Sequence, residues 1–170
     1  MAAKEIIDTI AEALAEAWGT LFMKQIGLSA EEVEGPEQAS EVEPGDYVVG
    51  AVTFSGDVNG ETKYYIPKTE ALTMVGMMMS MGADDSLIDS TRDGDLGADE
   101  LDALNEAFNQ LSATAATVIR EKMDCNVTGS TKPTEKLSIE SGLPDVNEDD
   151  LSVKLTLNLE GYEDGIIVQI

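Results

Sequence analysis

Leu101-Asp-Ala-Leu-Asn-Glu-Ala-Phe-Asn-Gln-Leu-Ser-Ala-Thr-Ala-Ala-Thr-Val118 carries two patterns at once. Successive helical residues rotate by roughly 100°, so Leu101, Leu104, Phe108, Leu111, Ala115 and Val118 share one apolar stripe. That is the stripe of a helix laid on a core. Asp102, Glu106, Asn109 and Ala113 run down a second stripe, turned well away from the first. The helix extends from about Ala98 to Met123, with Asp99 and Glu100 at the positive end of its dipole and Arg120 and Lys122 at the negative end. Such a helix needs a surface to lie on, and the flanking segments must supply it. Glu106 and Asn109, followed by the small residues Ala113, Ala116 and Thr117, are either a solvated polar face or a place where another protein approaches closely.

The flanks read as a sheet with helices. Leu151, Val153, Leu155, Leu157 and Leu159 alternate strictly with polar residues, the period of a half-buried strand, and Gly161 to Gly165 turns the chain into a last strand, Ile166 to Ile170. Upstream, Asp46 to Phe54 and Glu61 to Ile66 are strands joined by Ser55-Gly-Asp-Val-Asn-Gly60, whose Asn-Gly marks a tight hairpin turn. Lys4 to Ile26 is an amphipathic helix with Ile6, Ile10, Leu14, Trp18 and Leu21 on one face. Ser29 to Pro44 reads as an acidic surface loop. Pro67 ends the second strand, and Thr69 opens a helix to about Met81 containing five methionines, read as a helix buried on several sides rather than an adaptable binding surface. Asp84 to Asp99 is acidic and glycine-containing, and shorter strands are expected near Asn126 and from Lys136 to Ile139. The sum is one α+β domain over residues 1–170: a mainly antiparallel sheet with an N-terminal helix and two central helices packed against it.

Composition narrows the functions. Ten basic residues against 34 acidic ones give a formal net charge of −24, which argues against nucleic acid or an anionic membrane as partner. The chain has no histidine, which removes Ser-His and Cys-His catalysis and histidine metal sites. Cys125 is its one cysteine, so neither a disulfide within the chain nor a cysteine zinc cluster can form. The N-terminal segment is acidic and amphipathic, without the basic start and apolar run of a signal peptide or membrane span, so a cytoplasmic location is expected.

The turn Phe54-Ser-Gly-Asp-Val-Asn-Gly60, Pro67 opening a Met-rich helix, Glu106-x2-Asn109 in the next long helix and Pro133 downstream occur in that order. Together they resemble the CheC/CheX/FliY family of bacterial chemotaxis phosphatases, over roughly Asp46 to Pro133. The family pattern has an acidic residue or Ser four positions before the Glu, met by Asp102, and a proline after a 22-residue gap beyond the Asn; here residues 110 to 132 make the gap 23. Phe108 stands where the family usually has glycine. A second Glu-x2-Asn on the first helix is absent, since Ala15 and Gly19 follow Glu12 and Glu16 at that spacing, so the chain is similar to single-site CheX-like members.

The resemblance implies hydrolysis of the aspartyl phosphate on a CheY-type response regulator. Asn109 would orient the attacking water and Glu106 would pair with a lysine of the regulator. The chain would need no cofactor of its own, because magnesium would come with the regulator. A homodimer is a further expectation, through Ile166 to Ile170 if that strand lies at an edge.

Two other readings stay open. One is a non-catalytic scaffold of the same fold that binds a receiver or a motor protein, favoured by the bulk of Phe108. The other is calcium binding. Asp89-Ser-Thr-Arg-Asp-Gly-Asp-Leu-Gly-Ala-Asp-Glu100 has the frame of an EF-hand loop, with acid at positions 1, 5 and 12 and Gly at 6, although Thr91 occupies position 3.

Overall fold

In a computed structural model that describes residues 3–34, 42–80, 85–143, 146–147 and 149–170, the alternating leucine segment lies second from one edge of a seven-stranded sheet. In chain order the elements are α1 (Ala3–Phe22), β1 (Ile26–Glu34), β2 (Gly45–Gly56), β3 (Gly60–Pro67), α2 (Lys68–Ser80), α3 (Asp85–Arg92), α4 (Ala98–Met123), β4 (Val127–Thr131), β5 (Glu135–Ile139), β6 (Leu151–Leu159) and β7 (Gly165–Gln169). Strand order is β1-β6-β7-β3-β2-β4, and β5 also pairs with β2. Every pairing is antiparallel. The expected α+β architecture is therefore the one observed.

Helices cover one face of this sheet. Val48, Val52, Tyr64, Ile66, Val153, Leu155, Leu157 and Ile167 point to that face and meet Leu14, Trp18 and Phe22 of α1, Leu72 and Met74 of α2, and Leu104, Phe108 and Leu111 of α4. Residues one position out of phase, Tyr47, Tyr65 and Val168, form a smaller apolar cluster on the opposite face with Val42, Ile139 and Leu143. The two faces follow from the period of two along each strand. α2 is buried on several sides, from Ala71 through Met77, as its apolar circumference implied. Met81, counted with that helix from the sequence, lies outside the described residues.

Three local expectations change. The acidic stretch read as a loop begins with a strand: β1 pairs with β6 from Ile26↔Leu159 to Glu34↔Leu151. The acidic stretch before α4 contains α3, whose Ile88 is fully buried. Ile166 to Ile170 is not an edge, because β7 lies between β6 and β3, so a second copy cannot pair along it; β1 and the β4/β5 side of β2 are the edges.

α4 is held where it is by two missing side chains. A Cβ on Gly50 of β2 would lie 2.3 Å from the Phe108 ring, so only glycine there leaves room for the far end of the ring against the sheet. A Cβ on Gly129 of β4 would come within 2.6 Å of Ser112 Oγ and 2.9 Å of Ser112 O, so glycine again lets α4 lie directly on β4. α1 then closes against α4, its Trp18 Nε1 donating to Ala107 O at 3.0 Å.

Candidate functional site

The polar stripe of α4 is open to solvent. Asp102, Glu106, Asn109 and Ala113 are all exposed, while Leu104, Phe108, Leu111, Ala115 and Val118 on the other stripe are buried. Glu106 and Asn109 therefore stand side by side, one turn apart, on a face that nothing in the described structure covers. Phe108 is 1% exposed and tilts against Tyr64 with 6.4 Å between ring centroids. Its bulk is spent in the core, on the side away from Glu106 and Asn109, and so does not narrow access to them. The small residues divide: Ala113 and Thr117 are exposed, but Ala116 is buried against Ile119 and Val127 and serves the chain's own α4–β4 packing.

The segment leaving β4 runs alongside this face. Thr131 Oγ1 donates to Asn109 Oδ1 at 2.7 Å. One turn earlier on the helix, Asn105 Oδ1 accepts both the Thr134 N–H at 2.8 Å and the Thr134 hydroxyl at 2.6 Å. Pro133, singled out only as a downstream proline, lies between these two threonines, so the structure brings it to the Glu106–Asn109 helix. Neither threonine nor Asn105 was picked out from the sequence. The signal available was Thr131-Lys-Pro-Thr134 flanking that proline, matched by two asparagines four residues apart.

Lys132, inside the same segment, pairs with Glu61 of β3. That hydrogen bond holds the Glu61 carboxyl below its usual range, against a smaller opposing effect of burial. The β2–β3 turn is tied in as well: Asp57 N donates to Asn126 O at 2.8 Å, and Asp57 Oδ2 accepts the Asn126 N–H at 2.8 Å. The turn of the GDVNG motif thus braces the connection between α4 and β4 and does not itself reach the open face.

The segment with the EF-hand frame does not fold as a single loop. Asp89 to Arg92, the first four positions of the supposed loop, are the last turn of α3. Asp89 accepts the Tyr162 hydroxyl at 2.8 Å, Asp95 pairs with Lys68 at 2.7 Å, and Glu100 Oε2 turns back to accept the Gly97 N–H at 3.0 Å at the start of α4. Three of the frame's carboxylates thus have separate local partners. Among the described residues no three acidic or cysteine side chains are grouped to hold a metal ion.

A groove of about 830 Å³ lies elsewhere, lined in part by Tyr47, Lys68, Glu70, Lys154 and Ile166, and none of its lining residues belongs to α4. Burial raises the Glu70 carboxyl there above its usual range. Glu106 and Asn109 are on the open helix face rather than in this groove. No described helix is long and apolar enough to cross a membrane.

No protein-family model matches the chain. No curated protein matches it in sequence. Solved structures do. FliY of Thermotoga maritima superposes with a TM-score of 0.76 at 21% identity, over 98% of this chain and 85% of that one. A structure of the FliG–FliM complex from H. pylori matches with a TM-score of 0.67 at 13% identity, over 98% of this chain and 88% of that one, and the FliM middle domain from H. pylori gives 0.63 at 16% identity, over 98% and 87%. The chemotaxis protein CheX of Desulfovibrio desulfuricans gives 0.63 at 14% identity, over 98% of each chain. The chain has the CheC/CheX/FliY fold, a fold of chemotaxis and flagellar motor proteins. Its likeness to FliY is stronger than its likeness to CheX, which the absence of a second Glu-x2-Asn had favoured.

Proposed function

We propose that the chain hydrolyses the aspartyl phosphate of a CheY-type response regulator, using Glu106 and Asn109. The observation that carries this reading is their placement: an acid and an amide one turn apart on the exposed face of a long helix, with the amide carbonyl already engaged by Thr131. An acyl phosphate is reactive on its own, so acceleration requires positioning more than covalent help. Asn109 keeps its Nδ2 donors and one Oδ1 lone pair for a water, and it orients that water without titrating. The water oxygen bonds to phosphorus as the bond from phosphorus to the aspartyl oxygen breaks. Inorganic phosphate and the regulator's carboxylate leave, and the water's proton passes to solvent.

In this reading Glu106 makes an ion pair with a lysine beside the phosphorylated aspartate and fixes the helix over it. The divalent cation that neutralises phosphoryl charge belongs to the regulator. Asp102 adds to the negative field of the docking face and takes no chemical part. A scaffold that binds the regulator or a motor protein without hydrolysis is the second reading. It is favoured by the likeness to a structure determined as a FliG–FliM complex. Phosphate release from a phosphorylated CheY-type regulator separates the two. The first reading predicts acceleration that is lost in Asn109→Ala, whereas the scaffold reading predicts binding with unchanged decay.

A further inference from the structure

An amide on an open helix face turns about its outer torsions, and a water-orienting amide that turns wastes most of its encounters. Asn109 is exposed, yet its Oδ1 accepts the Thr131 hydroxyl at 2.7 Å. That bond ties the carbonyl side of the amide to Thr131 and leaves the Nδ2 donors on the side away from it. We propose that Thr131 is a positioning residue for Asn109, an inference that rests on the phosphatase reading and adds a residue from outside the helix to its machinery.

The donor is itself held in place. Thr131 is the last residue of β4 and pairs with Val52 of β2, and the Lys132 N–H donates to Ala51 O at 3.1 Å. The Lys132 ammonium is tied to Glu61 on β3. Pro133 has a restricted φ, and Thr134, 6% exposed, places two donors on Asn105. Asn105 and Asn109 share a helix face, and Thr131 and Thr134 bracket the proline, so two consecutive turns of α4 are gripped by the same strand exit. Gly129 brings α4 close enough for this grip. A β-branched threonine, with few χ1 options, presents its hydroxyl in a defined direction.

Thr131→Val keeps shape and strand propensity and removes the hydroxyl; Thr131→Ser keeps the hydroxyl. With a phosphorylated CheY-type regulator as substrate, Thr131→Val is expected to lower kcat about two- to tenfold, the usual weight of one hydrogen bond, with KM unchanged. Thr131→Ser is expected to restore most of the rate. A structural staple alone would shift the thermal midpoint and leave kcat as it was. NMR of the Asn109 side-chain amide in the isolated protein provides an independent readout: ordered in wild type and Thr131→Ser, averaged in Thr131→Val. Unchanged amide order in Thr131→Val would overturn the positioning. Altered order with unchanged kcat would overturn its catalytic consequence. A wild-type chain with no activity would overturn the phosphatase reading and that consequence together, while the amide order still decided the positioning.

Discussion

Phe108 and Gly50 show how one position can be read two ways until its neighbour is known. A phenylalanine beside Asn109 looks like an obstruction, but helical rotation sends it inward, and a glycine on β2 makes room for the ring. Gly50→Ala is therefore expected to destabilise the protein by about 1–3 kcal/mol through overpacking. Phe108→Leu in the same background should recover part of that loss, measured by denaturant unfolding. Equal stability of Gly50→Ala and wild type would show that the ring is not where it is described. Glu106→Gln tests the other member of the pair. Loss of its charge should raise KM more than it lowers kcat, because its proposed work is docking. At this scale the stripe was legible in the sequence, since rotation per residue separates Glu106 and Asn109 from the core. Thr131 and Thr134 were not, because a contact spanning 22 or 29 residues depends on how β4 returns along the helix.

Strands with one buried face and a regular period were the legible elements: β6 buries alternate residues from Val153 to Leu159, although Leu151 at its start is exposed, and β2–β3 carries its turn signal. β1 was missed for a physical reason. It is an edge strand, paired on one side only, and Glu31, Glu32 and Glu34 suit an edge that must not recruit another strand. The same acids make it look like a loop. α3 was missed because its burial rests on Ile88 alone. The exit of β4 carries a pH prediction. Lys132 lowers the Glu61 pKa from its ordinary 4.5, so the folded state binds that proton less tightly than the unfolded chain. The stabilisation is complete above 4.5 and fades as acidification carries the pH through the lowered folded value. Glu61→Gln should flatten that part of the pH–stability curve, followed by thermal melts, and leave the neutral-pH fold intact. A wild-type curve with no acid slope beyond that of the variant would contradict the pairing.

Over the whole molecule, 34 acidic side chains confront ten basic ones. Self-repulsion of this size weakens the folded state at low ionic strength, and salt screens it over a Debye length of about 10 Å at 0.1 M. The thermal midpoint should therefore rise as salt is added from low ionic strength. A midpoint that falls over that range would mean that the described ion pairs outweigh the net repulsion. The same field favours a partner with a basic docking face, as the proposed lysine contact of Glu106 requires. The fold class was readable from hairpins and periodicity, and the order of motifs led to the CheC/CheX/FliY fold that the solved structures share. Activity was not readable at that level, because the fold also serves FliM in its complex with FliG. The central claim rests on two side chains. Decay of a phosphorylated CheY-type regulator, followed alone, with wild type and with Asn109→Ala, tests it most directly. Faster decay is expected with wild type and the unaided rate with Asn109→Ala; an unaided rate with wild type, under conditions where the two proteins bind, would rule out hydrolysis by this pair.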